Sequence, residues 1–496
     1  MSASLVTKYI EESGKSLAGI DSGFLAYLAN LENVARVSRE TAASIVQELE
    51  DQRGNIKLIA SENYCSFSVQ SAMANLLTDK YAEGVPFKRF YAGCGNVDAI
   101  EDYAAKKACE LFGKKHAYVQ PHSGADANLV AFWAILSAKI EAPALEKLGL
   151  TDPAAVSHED WATIRAAFGN QRLLGMSLSS GGHLTHGFRR NVSGRFFDSY
   201  GYDVNRQTML LDYDEIERMA LDIKPLILLA GYSAYSRAIN FRRMREIADK
   251  AGAVLMVDMA HFAGLVAGKV FEGDFDPIPF AQIVTTTTHK TLRGPRGGMV
   301  LCDEEFAEFV DKGCPLVLGG PLPHVMAAKA VCFTEALRPE FRVYSKKIVE
   351  NSRCLAQAFV DLGQKVVSGG TDNHLCLLDV TPFGLTGRQA ESAVRECGIT
   401  LNRNTIPFDP NGAWYTSGLR LGTPAVTTLG MGEPEMKEIA SIMTVILKGT
   451  TAVEGSKAKY SVAAAAKDEA RSRASALLAR YPVYPELDLA FLKRHL

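Results

Sequence analysis

Short apolar runs alternate with amphipathic stretches from about residue 116 onward, and that alternation predicts an α/β chain. Residues 117–120, 173–178, 225–230, 253–258 and 283–288 read as strands. The run at 283–288 is wholly β-branched (Ile283, Val284, then four threonines) and does not alternate over its Ile-Val half. Burial on both faces of a parallel sheet explains that pattern. Between the runs, residues 126–140 place Leu129, Val130, Trp133, Leu136 and Ile140 at helical spacing. Residues 241–250 form a second amphipathic helix, ended by Gly252.

Outside that alternation the pattern changes several times. Residues 1–55 are polar with weak helical periodicity and read as a helical arm, with helices over 24–52. Residues 79–95 are rich in glycine and aromatics and read as a long structured loop. Residues 141–170 are charged and punctuated by Pro143 and Pro153, as a surface insertion would be. From about residue 321 helices at 327–338 and 341–362 precede strands at 365–367, 374–380 and 398–402. The tail, 450–496, reads as alanine-rich helix and then RYPVYP. The expected organisation is an arm (1–55), a large domain with a mainly parallel sheet (56–320, insertion about 137–172) and a smaller C-terminal α/β domain (321–496).

Composition narrows the function classes. A chain of 496 residues needs two or three domains. Hydrophobic residues at 47% and charged residues at 22% are ordinary for a soluble protein. A formal net charge of −2 gives no electrostatic footprint for nucleic acid or an anionic membrane. No apolar run suggests a membrane span, and residues 1–22 lack the apolar core of a signal peptide. The nine cysteines contain no C-x-x-C pair, which fits neither a metal site nor a disulfide framework and suits a reducing cytoplasm.

The candidate chemistry sits at strand ends. Lys290 follows the β-branched run, at the edge where open α/β sheets bind ligands, and is a candidate Schiff-base amine or simply a loop lysine. Asp258 ends the preceding apolar run, either as a helix cap or as a partner for a cation. Ser123, Gly124 and Ala125 join a strand to a helix, where free backbone N–H groups suit a phosphate or form an ordinary capped joint. His183 lies in a glycine-rich loop and could cover a flat ligand. Arg420, in an apolar run, needs an anion: a substrate carboxylate or a protein acid. A lysine that holds an aldehyde, an acid that keeps a ring nitrogen protonated and a phosphate cup are together what pyridoxal phosphate requires.

Residues 284–298 (VTTTTHKTLRGPRGG), 58–64 (LIASENY), 81–84 (YAEG), 120–124 (QPHSG), 181–187 (GGHLTHG), 257–266 (VDMAHFAGLV), 369–375 (GGTDNHL) and 416–424 together resemble serine hydroxymethyltransferase, in the family's order from about Leu58 to RYPVYP. The resemblance implies an aspartate-aminotransferase-like fold, pyridoxal 5'-phosphate as cofactor, serine and glycine as substrates, tetrahydrofolate as one-carbon acceptor, and a cytoplasmic homodimer with shared sites. Lys290 would carry the cofactor, Asp258 would face its ring nitrogen and His183 would stack on the ring. Ser233 and His261 would lie near its phenolic oxygen. Gly124, Ala125, His289 and Thr287 would surround the phosphate beside Ser123, with Tyr81, Gly319 and Gly320 reaching it from the other subunit. Arg420 and Ser61 would bind the substrate carboxylate. Glu83, beside Tyr81 and Tyr91, would transfer the hydroxyl proton. Leu178, Gly182, Leu184 and Asn404 would line the folate site.

Some positions depart from the family pattern: Ser180 for a histidine, Ala125 for a hydroxyl residue, the loop 314–320, Phe90, Gly95-Asn96, and a longer 137–172 segment. A folate-independent enzyme of the same fold, such as a threonine aldolase or racemase, shares the Lys290–Asp258–Arg420 set. A non-enzymatic binding protein would have no need to keep it.

Overall fold

A computed structural model describes residues 4–496, so the first three residues of the arm lie outside the described residues. Three strands precede the large sheet: β1 (Ile56–Lys57), then a hairpin of β2 (Gly84–Val85) and β3 (Lys88–Arg89). The large sheet has seven strands: β4 (His116–Tyr118), β5 (Arg172–Met176), β6 (Asp198–Tyr202), β7 (Ile227–Gly231), β8 (Val254–Asp258), β9 (Ile283–Thr287) and β10 (Gly298–Cys302). Their order is β4-β10-β9-β8-β7-β5-β6, and only β10 runs against its neighbours.

Strands β7, β8 and β9 are buried along their whole length. Alternate side chains enter two different cores: Leu228, Ala230, Leu255, Val257 and Val284 one, Ile227, Leu229, Val254, Met256 and Ile283 the other. Helices on both faces supply the rest of each core. The helix Phe241–Ala251 shows how: Asn240 caps its start, Gly252 at φ 71° ends it, and Phe241, Met244, Ile247 and Ala248 are buried. Each fully buried side chain of this kind stabilises the fold by about 1.5–3 kcal/mol.

The C-terminal part holds a second, four-stranded antiparallel sheet. Its strands are β11 (Lys365–Val366), β12 (Leu375–Asp379), β14 (Asn402–Asn404) and β15 (Gly418–Gly422), in the order β11-β12-β15-β14. Between them in the chain, β13 (Ile399–Thr400) pairs instead with β1.

Several elements differ from the sequence expectation. Residues 79–95 are not loop throughout, because they contain the β2–β3 hairpin. The helix Gly95–Phe112 went unforeseen, as did β6, β10 and the helix Glu433–Lys448. The run 398–402 splits, one half joining β1 and the other the small sheet. The tail begins with a hairpin, Thr450–Ala452 with Tyr460–Val462, before the alanine-rich helix Ala464–Arg480. One helical run, Gly124–Lys147, does reach the length and apolarity of a membrane span. Its apolar content has another cause. Val130, Ala131, Phe132, Ala134 and Ile135 are buried in the core beneath β9 and β10.

Candidate active site

The carboxyl ends of β4, β5, β7, β8 and β9 converge on one cleft, and the loops that follow them carry its side chains. The last buried strand residue is Thr287, and the chain then turns sharply: Gly294 N–H donates to Thr288 O and Arg293 N–H to Lys290 O. Lys290 is 8% exposed, and its carbonyl accepts from Asn63 Nδ2 at 3.0 Å. Burial pushes its ammonium down to about 8, against the pull of Asp258 and helped by Arg420 and Arg296. The neutral, nucleophilic amine is therefore accessible near neutral pH.

Asp258, at the end of β8, is fully engaged. Its Oδ2 accepts from Asn128 Nδ2 at 2.9 Å and lies 3.2 Å from His186 Nε2, and its Oδ1 accepts from Ala260 N–H at 3.0 Å. Burial alone would raise its carboxyl, but His186, His183 and Asn128 outweigh it and hold the group well below the usual carboxylate range. Asn128 is itself fixed by Thr185 and by Thr285 of β9. His183 sits beside His186, ring centroids 5.8 Å apart, with Nδ1 2.8 Å from Thr185 Oγ1. Burial lowers His183 to about 4, so its ring is neutral at pH 7. His183, His186 and Asp258 could also in principle ligate a metal. The buried lysine and the phosphate cup beside them favour an organic cofactor.

The cup is built from backbone. Ser123 caps the 13-residue helix Gly124–Leu136, its Oγ accepting from Asp126 N–H at 3.1 Å. The N–H groups of Gly124 and Ala125 open that helix and point outward from its positive end. A Cβ on Gly124 would stand 2.7 Å from Thr287 Cγ2, and one on Gly298 2.1 Å from Ser123 O, so both glycines are required for the close approach. Thr287 Oγ1 donates to Ala260 O at 3.2 Å. His289 has a buried Nδ1 with no partner among the described residues, and burial lowers it to about 3. Free N–H groups and an unpartnered buried ring nitrogen beside a neutralisable lysine fit a phosphorylated aldehyde.

Opposite the cup, Arg420 projects from β15. Its Nε donates to Asn402 Oδ1 at 3.0 Å and its Nη1 to Ser233 O at 2.7 Å and Ser233 Oγ at 3.0 Å. No carboxylate among the described residues pairs with it. Burial lowers its guanidinium to about 10, so it keeps its charge at pH 7. A buried cation of that kind calls for an anion from outside the chain. Ser233 Oγ lies 3.5 Å from His261 Nε2, and His261 Nδ1 lies 3.2 Å from His374 Nε2. Ala60 packs against Gly422, which brings the half-buried Ser61 beside the strand of Arg420.

Other expected residues make contacts of a different kind. Tyr81, Glu83 and Tyr91 form a cluster of their own: Tyr81 OH is 3.4 Å from Glu83 Oε1, and the two tyrosine rings are 4.9 Å apart. Gly320 packs on the Tyr81 ring and Gly319 adopts φ 69° beside it. Tyr81 is 57% exposed, and among the described residues no hydrogen bond or ion pair joins this cluster to Lys290. Leu178 and Leu184 are exposed on the loop after β5, Gly182 packs tightly on Met176 O, and Asn404 ends β14. Ser180 donates to Asp203 Oδ1 at 2.7 Å and accepts from Val204 N–H, so it secures the base of that loop.

The sequence reading missed Asn128, Thr185, His186, His374 and Asn402, whose roles come from contacts between distant segments. It also missed Lys329. Its ammonium donates to Val119 O, Pro121 O and Gly298 O at 2.6, 2.9 and 2.8 Å, directly beneath the cup. A lysine inside an apolar helix was the available signal.

Comparison with known proteins places this geometry. The family model for serine hydroxymethyltransferase matches residues 34–167 and 153–443. The chain is 62% identical over 481 residues to the serine hydroxymethyltransferase of Treponema pallidum, covering 96% of this chain and 84% of that protein. It is 57% identical over 469 residues to that of Mycolicibacterium smegmatis, covering 95% and 96%. It is 52% identical over 497 residues to that of Chlamydia trachomatis serovar D, covering 99% of this chain and all of that protein.

Proposed function

The chain belongs to the serine hydroxymethyltransferase family, and on that footing we propose how its residues divide the work. The activity is reversible transfer of the serine hydroxymethyl carbon to tetrahydrofolate, giving glycine and 5,10-methylenetetrahydrofolate. Bound pyridoxal 5'-phosphate supplies an electron-accepting ring. Lys290 would hold the cofactor through its amine. Ser123, Gly124, Ala125, Thr287 and His289 hold the phosphate. Asp258 keeps the proton on the ring nitrogen, and Asn128 and His186 keep Asp258 ionised. His183 covers the ring face, and Ser233 with His261 borders the phenolic oxygen.

Arg420, with Ser61, fixes the substrate carboxylate, and that orientation selects which bond at Cα lies along the ring's π-system. Glu83 takes the hydroxyl proton, assisted by Tyr81 and Tyr91. Leu178, Gly182, Leu184 and Asn404 line the folate site. No hydrogen bond ties the Glu83 cluster to Lys290 among the described residues, and on this reading the cluster serves the site of a second copy, as do Gly319 and Gly320. Leu76, Tyr81, Phe87, Phe90 and Tyr91 are all exposed near it, as a dimer face would leave them in one chain alone. The division into arm, cofactor domain (56–320) and small domain (321–496) follows the same reading, and nine free cysteines suit the cytoplasm.

The observation that carries this reading is Arg420: a buried cation without an acidic partner, in the same cleft as Lys290 and Asp258. The test is turnover of serine labelled at C3 by the cofactor-loaded protein. The label should pass into the folate product, and glycine should form slowly without tetrahydrofolate. Equal glycine release with and without folate would support a folate-independent aldolase instead.

A further inference from the structure

The hairpin that carries Glu83 is held from behind by a buried charged network. Arg89 side chain is 3% exposed, and so is that of Glu101. Arg89 Nη1 donates to Ala82 O at 2.9 Å and to Gly84 O at 2.7 Å, the two carbonyls that flank Glu83. Its Nε donates to Asp98 Oδ1 at 2.8 Å and its Nη2 to Glu101 Oε2 at 2.5 Å. Gln120 Nε2 then donates both to Gly84 O at 2.8 Å and to Glu101 Oε1 at 2.7 Å. Tyr118 OH fixes the amide of Gln120 from the other side, at 2.9 Å. Gly84 itself is at φ 99°, and a Cβ there would stand 2.4 Å from Lys88 O, so this turn of the backbone requires glycine.

We propose that Arg89, held by Asp98 and Glu101, is a positioning residue for the reaction: it sets the carboxylate of Glu83 through the two carbonyls on either side of it. The inference rests on the proton-transfer role read for Glu83. The fork geometry of the guanidinium is what the arrangement needs. Three nitrogens in one plane reach two carbonyls and two carboxylates, which a lysine cannot do. Glu83 directly precedes the two-residue strand β2, and the network fixes the buried backbone on both sides of it.

The network also reaches the phosphate cup. Gln120 is flanked by Val119 and Pro121, whose carbonyls bind the Lys329 ammonium together with that of Gly298. Gly298 packs on Ser123 O. The acid and the cup of one chain therefore rest on a single buried polar frame.

The experiment is a double-mutant cycle on the cofactor-loaded enzyme with Arg89→Lys, Glu83→Gln and the pair. Arg89→Lys should lower kcat for serine-to-folate transfer about tenfold or more while serine KM stays within about twofold, since misplacing a catalytic group by about 1 Å costs about that and more. The pair should be no slower than Glu83→Gln alone, because Arg89 itself bonds only the backbone beside Glu83, Asp98 and Glu101, and it is Gln120 and Lys329 that extend the frame to the cup. Losses that multiply would overturn the proposal and leave the role of Glu83 standing. Full activity in Glu83→Gln would overturn both. Asp98→Asn, which loosens one grip on Arg89 and leaves no buried charge without its Glu101 partner, gives the same cycle if Arg89→Lys does not fold.

Discussion

Arg420 offers the sharpest quantitative test of the cleft. Truncating one partner of a buried, hydrogen-bonded charge pair costs about 2–5 kcal/mol. At 1.36 kcal/mol per factor of ten, Arg420→Ala should weaken glycine binding by about 30- to 5,000-fold. Arg420→Lys keeps the charge and loses the fork. One charge-assisted hydrogen bond contributes about 1.5–3 kcal/mol, so the loss should be about 10- to 150-fold. The assay is spectral titration of the loaded protein with glycine and, separately, with methylamine, which has the same amine and no carboxylate. Methylamine binding should change by less than about twofold in either variant, because Arg420 has nothing to hold. A uniform loss for both amines would mean that the variants had disturbed Ser233 and Asn402 rather than removed a carboxylate site. A glycine affinity within about threefold of the parent in Arg420→Ala would refute the assignment outright.

Further outcomes follow from the same geometry. The rate at which apoprotein is covalently loaded by pyridoxal phosphate should rise with pH up to about 8 and level off above it, since Lys290 is protonated below that point and neutral above it. A midpoint near the ordinary lysine value of 10.5 would contradict its burial. Asp258→Asn should keep the cup and the lysine but lower kcat by about 100- to 1,000-fold, the cost of losing one preorganised electrostatic partner, and a loss below about tenfold would remove Asp258 from the chemistry. If sites are shared between copies, mixing inactive Lys290→Ala and Glu83→Gln chains in equal amounts and refolding them together should restore about a quarter of the sites, because half of the dimers are mixed and each has one intact site. No recovery in demonstrably mixed dimers would place Glu83 in its own chain's site.

How much of this was legible in the sequence depends on the range of the interaction. Lys290, Asp258 and the Ser123 cup were readable because strand ends announce themselves through local pattern: a buried run, then a break. Arg420 was readable only as a cation in need of an anion. What it holds to on the protein side, Asn402 and Ser233, lies 18 and 187 residues away. Strand β10 was missed because Gly298–Cys302 opens on glycine directly after a glycine-proline turn, and its pairing with β9 and β4 marks it as a strand. The helix Gly95–Phe112 was missed for a different reason. Its buried face includes Asp98 and Glu101, whose burial makes sense only with Arg89 between them. Motif resemblance named Glu83 but could not say that no hydrogen bond ties its cluster to Lys290 among the described residues.

The arm has a consequence for how the protein is made. Leu5, Tyr9, Phe24, Leu28 and Leu31 share one hydrophobic cluster with Val483, Leu487, Phe491 and Leu492. Ion pairs close the same seam, Arg494 meeting Glu12 across 482 residues of chain. Synthesis at about 5–20 residues per second separates those two ends by roughly 25–100 s. Through that interval the arm's apolar stripe can pack on Val46, Leu49 and Tyr64 but lacks its C-terminal partners. The helices of the arm thus complete their packing long after they are made, and a nascent chain has to keep the uncovered part of their stripe from other surfaces until the helix Leu489–His495 arrives.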